Sequence, residues 1–298
     1  MTIDVISDAR RRFLQLMALS PLIFPSLTRA EQIDLSRIIV LEWRPVELLM
    51  ALGVAPMAIA DIPNYHRWLV EPVLPDNVLD VGLRTEPNLE LMMRLKPSLI
   101  MRSNGYGPTA ESLRAIAPVW GGDFIDGKGT PPLTLLRRDL LRLGEQLNRQ
   151  PQAAAHLQMM DERFLQHKRN LAAFREEKLM VFSFLDSRRV MMFGDSSLFA
   201  NGMAEIGLQN GWQGKVSAWG TTIVGIETLA QVKNVRAIGL MHGDNDPAKK
   251  LTHSDLWRSI PFVREQKLHL LPAVWFYGGS YSVLRFCRLL EQTLLEHA

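Results

Sequence analysis

Residues 152–174 contain neither glycine nor proline, and apolar side chains recur there at Leu157, Met160, Phe164, Leu171 and Phe174. That spacing predicts one long helix with a wet face. Short apolar runs, polar loops and helical segments alternate on both sides of it. A chain patterned this way folds into α/β halves, and a single helix between them serves as a rigid connector.

Ahead of the helix, Ile38-Ile-Val-Leu41 reads as a strand, and Val54 to Ala60 as a second one interrupted at Pro56. Val46 to Leu52 reads as a helix, with Pro45 near its first turn and Gly53 closing it. Val78 to Val81 leads into Gly82-Leu-Arg-Thr-Glu-Pro87, Asn88 to Leu95 is helical, and Pro97 to Met101 is a strand whose loop is Ser103-Asn-Gly-Tyr-Gly-Pro108. Beyond the helix, Leu179 to Leu185, Val190 to Phe193, Ala237 to Met241 and Leu268 to Leu271 are strand candidates. Helices are expected over Ser197 to Ile206, from Ile226 to Ala230 and from about Tyr281 onward. The prediction is an α/β fold of two lobes with mainly parallel sheets joined by one long helix. The binding edge is expected where loops gather at the carboxyl ends of the strands. The lobes fall at 31–143 and 176–298, with the connecting segment at 144–175.

Residues 10–15 read Arg-Arg-Arg-Phe-Leu-Gln, an apolar run follows from Leu14 to Leu27, and Thr28-Arg-Ala30 ends it. This is the pattern of a twin-arginine-type export signal over 1–30 with cleavage after Ala30, which places the rest of the chain in the periplasm. Pro21 and Pro25 interrupt the run, and it is too short to span a bilayer comfortably. An amphipathic helix of a cytosolic protein is the competing reading. The formal net charge of +3 owes much to this segment, because removing Arg10, Arg11, Arg12, Arg29, Asp4 and Asp8 leaves 30 basic and 29 acidic residues. A balance that even argues against a nucleic-acid partner. The single cysteine, Cys287, excludes an intrachain disulfide, and its apolar helical setting reads as a buried small hydrophobe.

Trp43, Trp68, Trp212, Trp219 and Trp275 sit in or beside predicted loops, as do Tyr106, Phe276 and Tyr277. Rings at strand ends either pack small cores beneath the loops or line a shared cleft. Arg84 stands in one of these loops; by itself such a residue is often a surface side chain or a partner of Glu86. Enzyme signatures are weak: there is no Gly-x-Ser-x-Gly, no phosphate-binding Walker loop and no His-Glu-x-x-His. The histidines (His66, His156, His167, His242, His253, His269 and His297) are scattered, and His242 with Asp244 and Asp246 looks more like a polar turn than a metal site.

The stretches Ile39-Val-Leu-Glu-Trp-Arg-Pro-Val-Glu-Leu-Leu49, Asp80-Val-Gly-Leu-Arg-Thr-Glu-Pro-Asn-Leu-Glu90, Gly105-Tyr-Gly-Pro108 and Pro272-Ala-Val-Trp-Phe-Tyr-Gly278 resemble the periplasmic ferric-hydroxamate siderophore-binding proteins of iron ABC importers. The likeness runs almost end to end. It implies two lobes joined by one long helix and a binding protein with no catalysis. The ligand would be a ferrichrome- or coprogen-like iron(III) chelate, handed to an inner-membrane ABC permease with its ATPase. It implies that Arg84 and Tyr106 hydrogen-bond the iron-bound hydroxamate oxygens. Trp68, Trp212, Trp219, Trp275, Phe276 and Tyr277 would line or border the cleft. All iron positions would be filled by the siderophore, so no intrinsic cofactor and no protein metal ligand is expected. Ser217-Ala-Trp-Gly departs from the pattern of the family's best-known member, which has asparagine and phenylalanine ahead of the tryptophan, so Ser217, with Thr221 nearby, bears on ligand choice. Glu111 and, more weakly, Glu227 match acidic lobe-tip positions that dock on the permease, although acids also favour helix starts for their own sake. A monomer is expected. The competing readings are the same fold binding haem or a corrinoid, and an exported hydrolase or metal-chelate reductase.

Overall fold

The computed structural model describes residues 33–241 and 254–297. The expected signal over 1–30, and His242, Asp244 and Asp246, lie outside the described residues. Strand β1 (Ile38–Val40) has every side chain buried and sits at the centre of a five-stranded sheet ordered β3-β2-β1-β4-β5. Its neighbours are β2 (Ala58–Ile59), β3 (Leu79–Asp80), β4 (Leu99–Ser103) and β5 (Val119–Gly122). Every pairing is parallel, in the register Ile39 opposite Ala58 and Ile100. Strands covered on both faces read as unbroken apolar runs, which is why β1 and the Leu99–Met101 part of β4 show plainly in the sequence. The expected strand over Val54 to Ala60 is shorter than predicted and pairs only at Ala58–Ile59, past Pro56, which has no N–H to give a ladder.

Helices α1 (Trp43–Ala51), α2 (Ile62–Trp68), α3 (Leu89–Leu95) and α4 (Ala110–Arg114) alternate with these strands. Helix α1 is buried along nearly its whole length, including Arg44 and Glu47. Arg44 is held by Asp139 of α5 (Pro132–Gln146) at 2.9 Å, with both side chains out of solvent. The connecting helix, α6 (Gln150–Asn170), gives way to a single 3-10 turn at Ala172–Phe174. Its buried stripe is Ala153, His156, Met160, Phe164 and His167, so two histidines share the inner face with the expected apolar groups.

The second lobe is less regular than predicted. Its sheet runs β11-β10-β6-β7-β9 through β6 (Lys178–Phe184), β7 (Arg189–Phe193), β9 (Thr221–Gly225), β10 (Arg236–Leu240) and β11 (Leu268–Leu271), with β8 (Gln209–Asn210) also paired to β6. Strands β10 and β11 run parallel to β6, but β7 runs antiparallel to both β6 and β9. The cause is local. The Asp186 carboxylate accepts the N–H groups of Arg188 and Arg189 at 2.8 and 2.9 Å, closing a tight reversal for which only antiparallel neighbours are near enough. Strand β9 was not anticipated, and Ile226–Gln231 is a 3-10 helix rather than the start of an α-helix. Helices α7 (Leu198–Glu205), α8 (Asp255–Ser259), α9 (Pro261–Arg264) and α10 (Ser280–Glu296) complete the lobe. Cys287 is fully buried on α10, and burial pushes its thiol well above the ordinary range. Among the described residues no helix is long and apolar enough to cross a membrane.

Candidate functional site

A cleft of about 240 Å³ is lined by Glu42, Arg84, Ser103, Tyr106 and Phe124 from the first lobe and by Trp219, Trp275 and Tyr277 from the second. The first-lobe residues all stand just past the carboxyl ends of β1, β3, β4 and β5, or at the last residues of β4. That is the edge expected of a parallel α/β sheet. The second lobe meets the expectation only in part. Trp275 and Tyr277 follow the carboxyl end of β11, whereas Trp219 stands on the loop entering β9, at that strand's amino end.

Arg84 has two carboxylate partners, and neither is Glu86. Its Nη1 donates to Glu42 Oε1, and its Nε lies 3.8 Å from Asp61 Oδ2. Glu42 is itself fixed, because its other oxygen caps α1 by accepting the Arg44 N–H at 3.2 Å. The guanidinium carbon sits 3.7 Å from the centroid of the buried Trp43 ring, 5.0 Å from Trp275 and 5.3 Å from Tyr106. Rings at these distances attract a cation through their negative faces. Trp43 is anchored from behind by its own Nε1–H, which donates to the Ala60 carbonyl at 3.1 Å.

The loop carrying Tyr106 is held from below by Arg102, whose guanidinium donates to Asn104 Oδ1 at 3.1 Å and to the Tyr106 carbonyl at 3.3 Å. Gly107 (φ +68°) lets this loop close on the Arg84 segment, since a Cβ there would stand 2.7 Å from the Arg84 carbonyl oxygen. A side chain at that φ would also be strained.

The opposite wall is made of rings. Trp219 stacks on Phe124 at 5.7 Å with an interplanar angle of 16°, so one aromatic pair bridges the two lobes. Tyr277 meets Trp219 edge-on at 5.2 Å, and its hydroxyl pairs with Thr221 Oγ1 at 3.1 Å. Burial pushes the Tyr277 phenol up against the opposing effect of that bond, which keeps it an O–H donor.

The remaining sequence-predicted residues stand elsewhere. Trp68 and Phe276 pack behind Trp275, at 5.5 and 4.9 Å between ring centroids, and support the wall from outside the cleft. Trp212 is not in the cleft: it is buried in the second-lobe core with Phe182, Phe184 and Trp257. Ser217 does not face the cleft either. Its hydroxyl turns back to accept the Trp219 N–H at 3.2 Å and so shapes the loop that aims Trp219. Glu111 and Glu227 are exposed, each in the first turn of a helical segment. Sequence reasoning missed Glu42, Ser103 and Phe124 as cleft residues. Glu42 and Ser103 fall inside or beside the recognised stretches, whereas Phe124 lies in a Gly-, Pro- and Asp-rich loop whose composition gives no such signal. Among the described residues no group of three or more His, Cys, Asp or Glu side chains gathers as around a metal ion.

A family model described as periplasmic binding protein matches residues 38–274. The chain is 42% identical over 287 residues, 96% of each chain, to the iron(3+)-hydroxamate-binding protein FhuD of Escherichia coli. Among solved structures it is similar to the siderophore-binding protein FhuD of Vibrio cholerae with bound Fe3+–Desferal, with a TM-score of 0.82, 26% identity, and coverage of 88% of this chain and 98% of that one. The triscatecholate siderophore-binding protein FeuA of Bacillus subtilis shares the fold, with a TM-score of 0.70, 15% identity, and coverage of 88% and 93%.

Proposed function

The chain belongs to the periplasmic binding protein family, and on that premise we propose that it captures iron(III)–hydroxamate siderophores in the periplasm and delivers them to an inner-membrane ABC permease with its ATPase. It reaches the periplasm by a twin-arginine signal over residues 1–30, it works as a monomer, and it catalyses nothing. Iron enters only as part of the cargo.

The observation that carries this reading is the Arg84 guanidinium, set among aromatic rings at the cleft with the Tyr106 ring beside it. Arg84 and Tyr106 supply N–H and O–H donors for hydroxamate oxygens. Trp219, Trp275 and Tyr277 supply an apolar wall for the organic backbone, supported from behind by Trp68 and Phe276. The charge of the cleft favours the same ligand class. Glu42 and Asp61 offset Arg84, so the floor carries hydrogen-bonding power without excess positive charge. Three hydroxamates, each singly negative, cancel the charge of iron(III), and the resulting neutral chelate meets no net repulsion. A strongly anionic catecholate chelate would meet the Glu42 carboxylate. Ser217 acts on ligand choice through the position of Trp219. Glu111 and Glu227 remain our candidates for the permease contact, because both are exposed and acidic.

The test is a titration of tryptophan fluorescence with ferrichrome, coprogen, haem and cobalamin, using protein that lacks residues 1–30. Saturable quenching by a ferric hydroxamate, with chemically unchanged ligand recovered afterwards, is the expected outcome. Quenching by haem or cobalamin alone would sink the hydroxamate reading, and recovery of altered ligand would point to an enzyme.

A further inference from the structure

Helix α1 and its cap carry three buried charged residues, and each pairs with a different part of the molecule. Glu42 meets Arg84 and Arg44 meets Asp139. Glu47, with no exposed surface, reaches across to the amino end of α10. Its Oε1 accepts the Gly279 N–H at 2.8 Å and the Ser282 hydroxyl at 2.6 Å, and its Oε2 accepts the Ser282 N–H at 2.8 Å. The fit leaves no spare room: a Cβ on Gly278 would stand 2.7 Å from Glu47 Oε1. A carboxylate there answers the unpaired N–H groups and positive end of a helix. The acid belongs to the first lobe and the helix to the second. Only Gly278 separates the bonded Gly279 from Tyr277 of the cleft wall.

We propose that Glu47 is a positioning residue for ligand binding: its carboxylate ties the Trp275–Tyr277 wall of the second lobe to the first lobe, and loss of its charge loosens the cleft. The proposal rests on the reading of the cleft as the ligand site. In the ionised state both oxygens only accept, which matches the N–H and O–H donors facing them. A protonated carboxyl adds an O–H among those donors and gives up an acceptor, so the wall is held less firmly.

The titratable and charged groups facing Glu47 are few. Tyr65 of α2 and Tyr281 of α10 have phenols pushed up by burial and by the Glu47 charge. His156 of α6 shares the amino end of α10 through Ser280 Oγ at 2.8 Å, and burial lowers its pKa. Arg285 of α10 donates to the Ala273 carbonyl, close to Glu71 and Arg288, and Arg44 is taken up by Asp139. At Glu47 burial outweighs the hydrogen bonds and pushes the pKa from 4.5 up to about 7. Two consequences run in opposite directions. A carboxyl whose folded pKa is raised makes the folded state bind the proton more readily, so this group's contribution to global stability falls as pH rises from 4.5 to about 7. The tie across the cleft strengthens over the same interval. Affinity that merely followed stability would fall with rising pH; the proposal requires it to rise.

The experiment is a ferrichrome titration at pH 6, 7 and 8 of the wild type, Glu47→Gln and Ser282→Ala, with urea unfolding of each in parallel. The wild type is expected to bind about fivefold more weakly at the lowest pH than at the highest, the effect of one ordinary hydrogen bond. Glu47→Gln should bind about tenfold more weakly than wild type at the highest pH, with a flat profile, as befits the loss of a charged acceptor. Ser282→Ala removes a donor that favours the ionised carboxylate, so the midpoint should move to higher pH while the cleft lining is untouched. A folded Glu47→Gln protein with wild-type affinity and profile would overturn the proposal, as would a midpoint that Ser282→Ala leaves in place. If Glu47→Gln does not fold, Ser282→Ala alone decides. Should the wild type bind no ferrichrome at any pH, the functional reading fails. Glu47 is then judged on ligand-free tryptophan emission, whose pH transition Ser282→Ala must shift if the tie exists and cannot shift if it does not.

Discussion

The two walls of the cleft are held by different forces. In the first lobe, Arg84 is braced by Glu42 and Asp61 and laid on Trp43, while Arg102 and Gly107 set the neighbouring Tyr106 loop. In the second lobe, Trp219, Trp275, Phe276 and Tyr277 touch one another ring to ring, and Thr221 with Tyr277 adds a polar bond. A braced cation gives direction, because its donors point where its partners hold them. A patch of rings gives area and tolerates small shifts, since offset and edge-on contacts differ little in energy. The first wall is therefore suited to reading the oxygens of a chelate and the second to accepting varied organic backbones.

The largest expected effect lies outside that comparison and sharpens it. Trp212→Ala empties a core position of the second lobe and should cost about 3–5 kcal/mol of stability, with little change in the affinity of the molecules that remain folded. Urea unfolding paired with calorimetric titration separates the two quantities, and a lost affinity at full stability would return Trp212 to the cleft. Arg84→Ala strikes the directional wall. Binding should weaken by about 1.5–3 kcal/mol, and unchanged calorimetric affinity would remove Arg84 from the site. Because this change also strands Glu42, the pair Arg84→Ala with Glu42→Gln should recover stability but not affinity. Gly107→Ala keeps every donor and disturbs only their placement. The strained backbone alone costs about 1–2 kcal/mol, and affinity should fall with it; an unaffected titration would show that the Tyr106 loop need not close on Arg84. Trp219→Leu tests the tolerant wall. It should cost about 0.5–1.5 kcal/mol beyond lost area and change the ranking of ferrichrome against coprogen more than it changes the better affinity of the two. Equal losses for both ligands would contradict a selective role for that loop.

Much of the architecture was legible because its signals are local. A fully buried strand such as Ile38–Val40 must be apolar throughout, and a helix such as Gln150–Asn170 shows its period in the chain itself. The same locality explains the misses. Strand Thr221–Gly225 pairs with Arg189–Phe193, which the reversal at Asp186–Arg189 turns back from β6, and no pattern within Thr221–Gly225 records that partner. Trp212 and Trp219 lie in one aromatic loop and look alike as residue types, yet one is buried in the core and the other faces the cleft.

The amino-acid sequence alone was enough to indicate two α/β halves about a long helix and aromatic loops at strand ends, which follow from side-chain period and turn residues acting over a few positions. Arg84 and Tyr106 were singled out as candidate donors only through the resemblance of the stretches that hold them. The tertiary structure decided the partners. Arg84 could have paired with Glu86, two residues away; it pairs with Glu42 and Asp61 because parallel strands bring the ends of β1, β2 and β3 side by side. Glu47 reads as one acid on a helix until folding carries the amino end of α10 to it from more than two hundred residues away. A buried charge must find its complement, and in a chain this long the nearest in space is seldom the nearest in sequence.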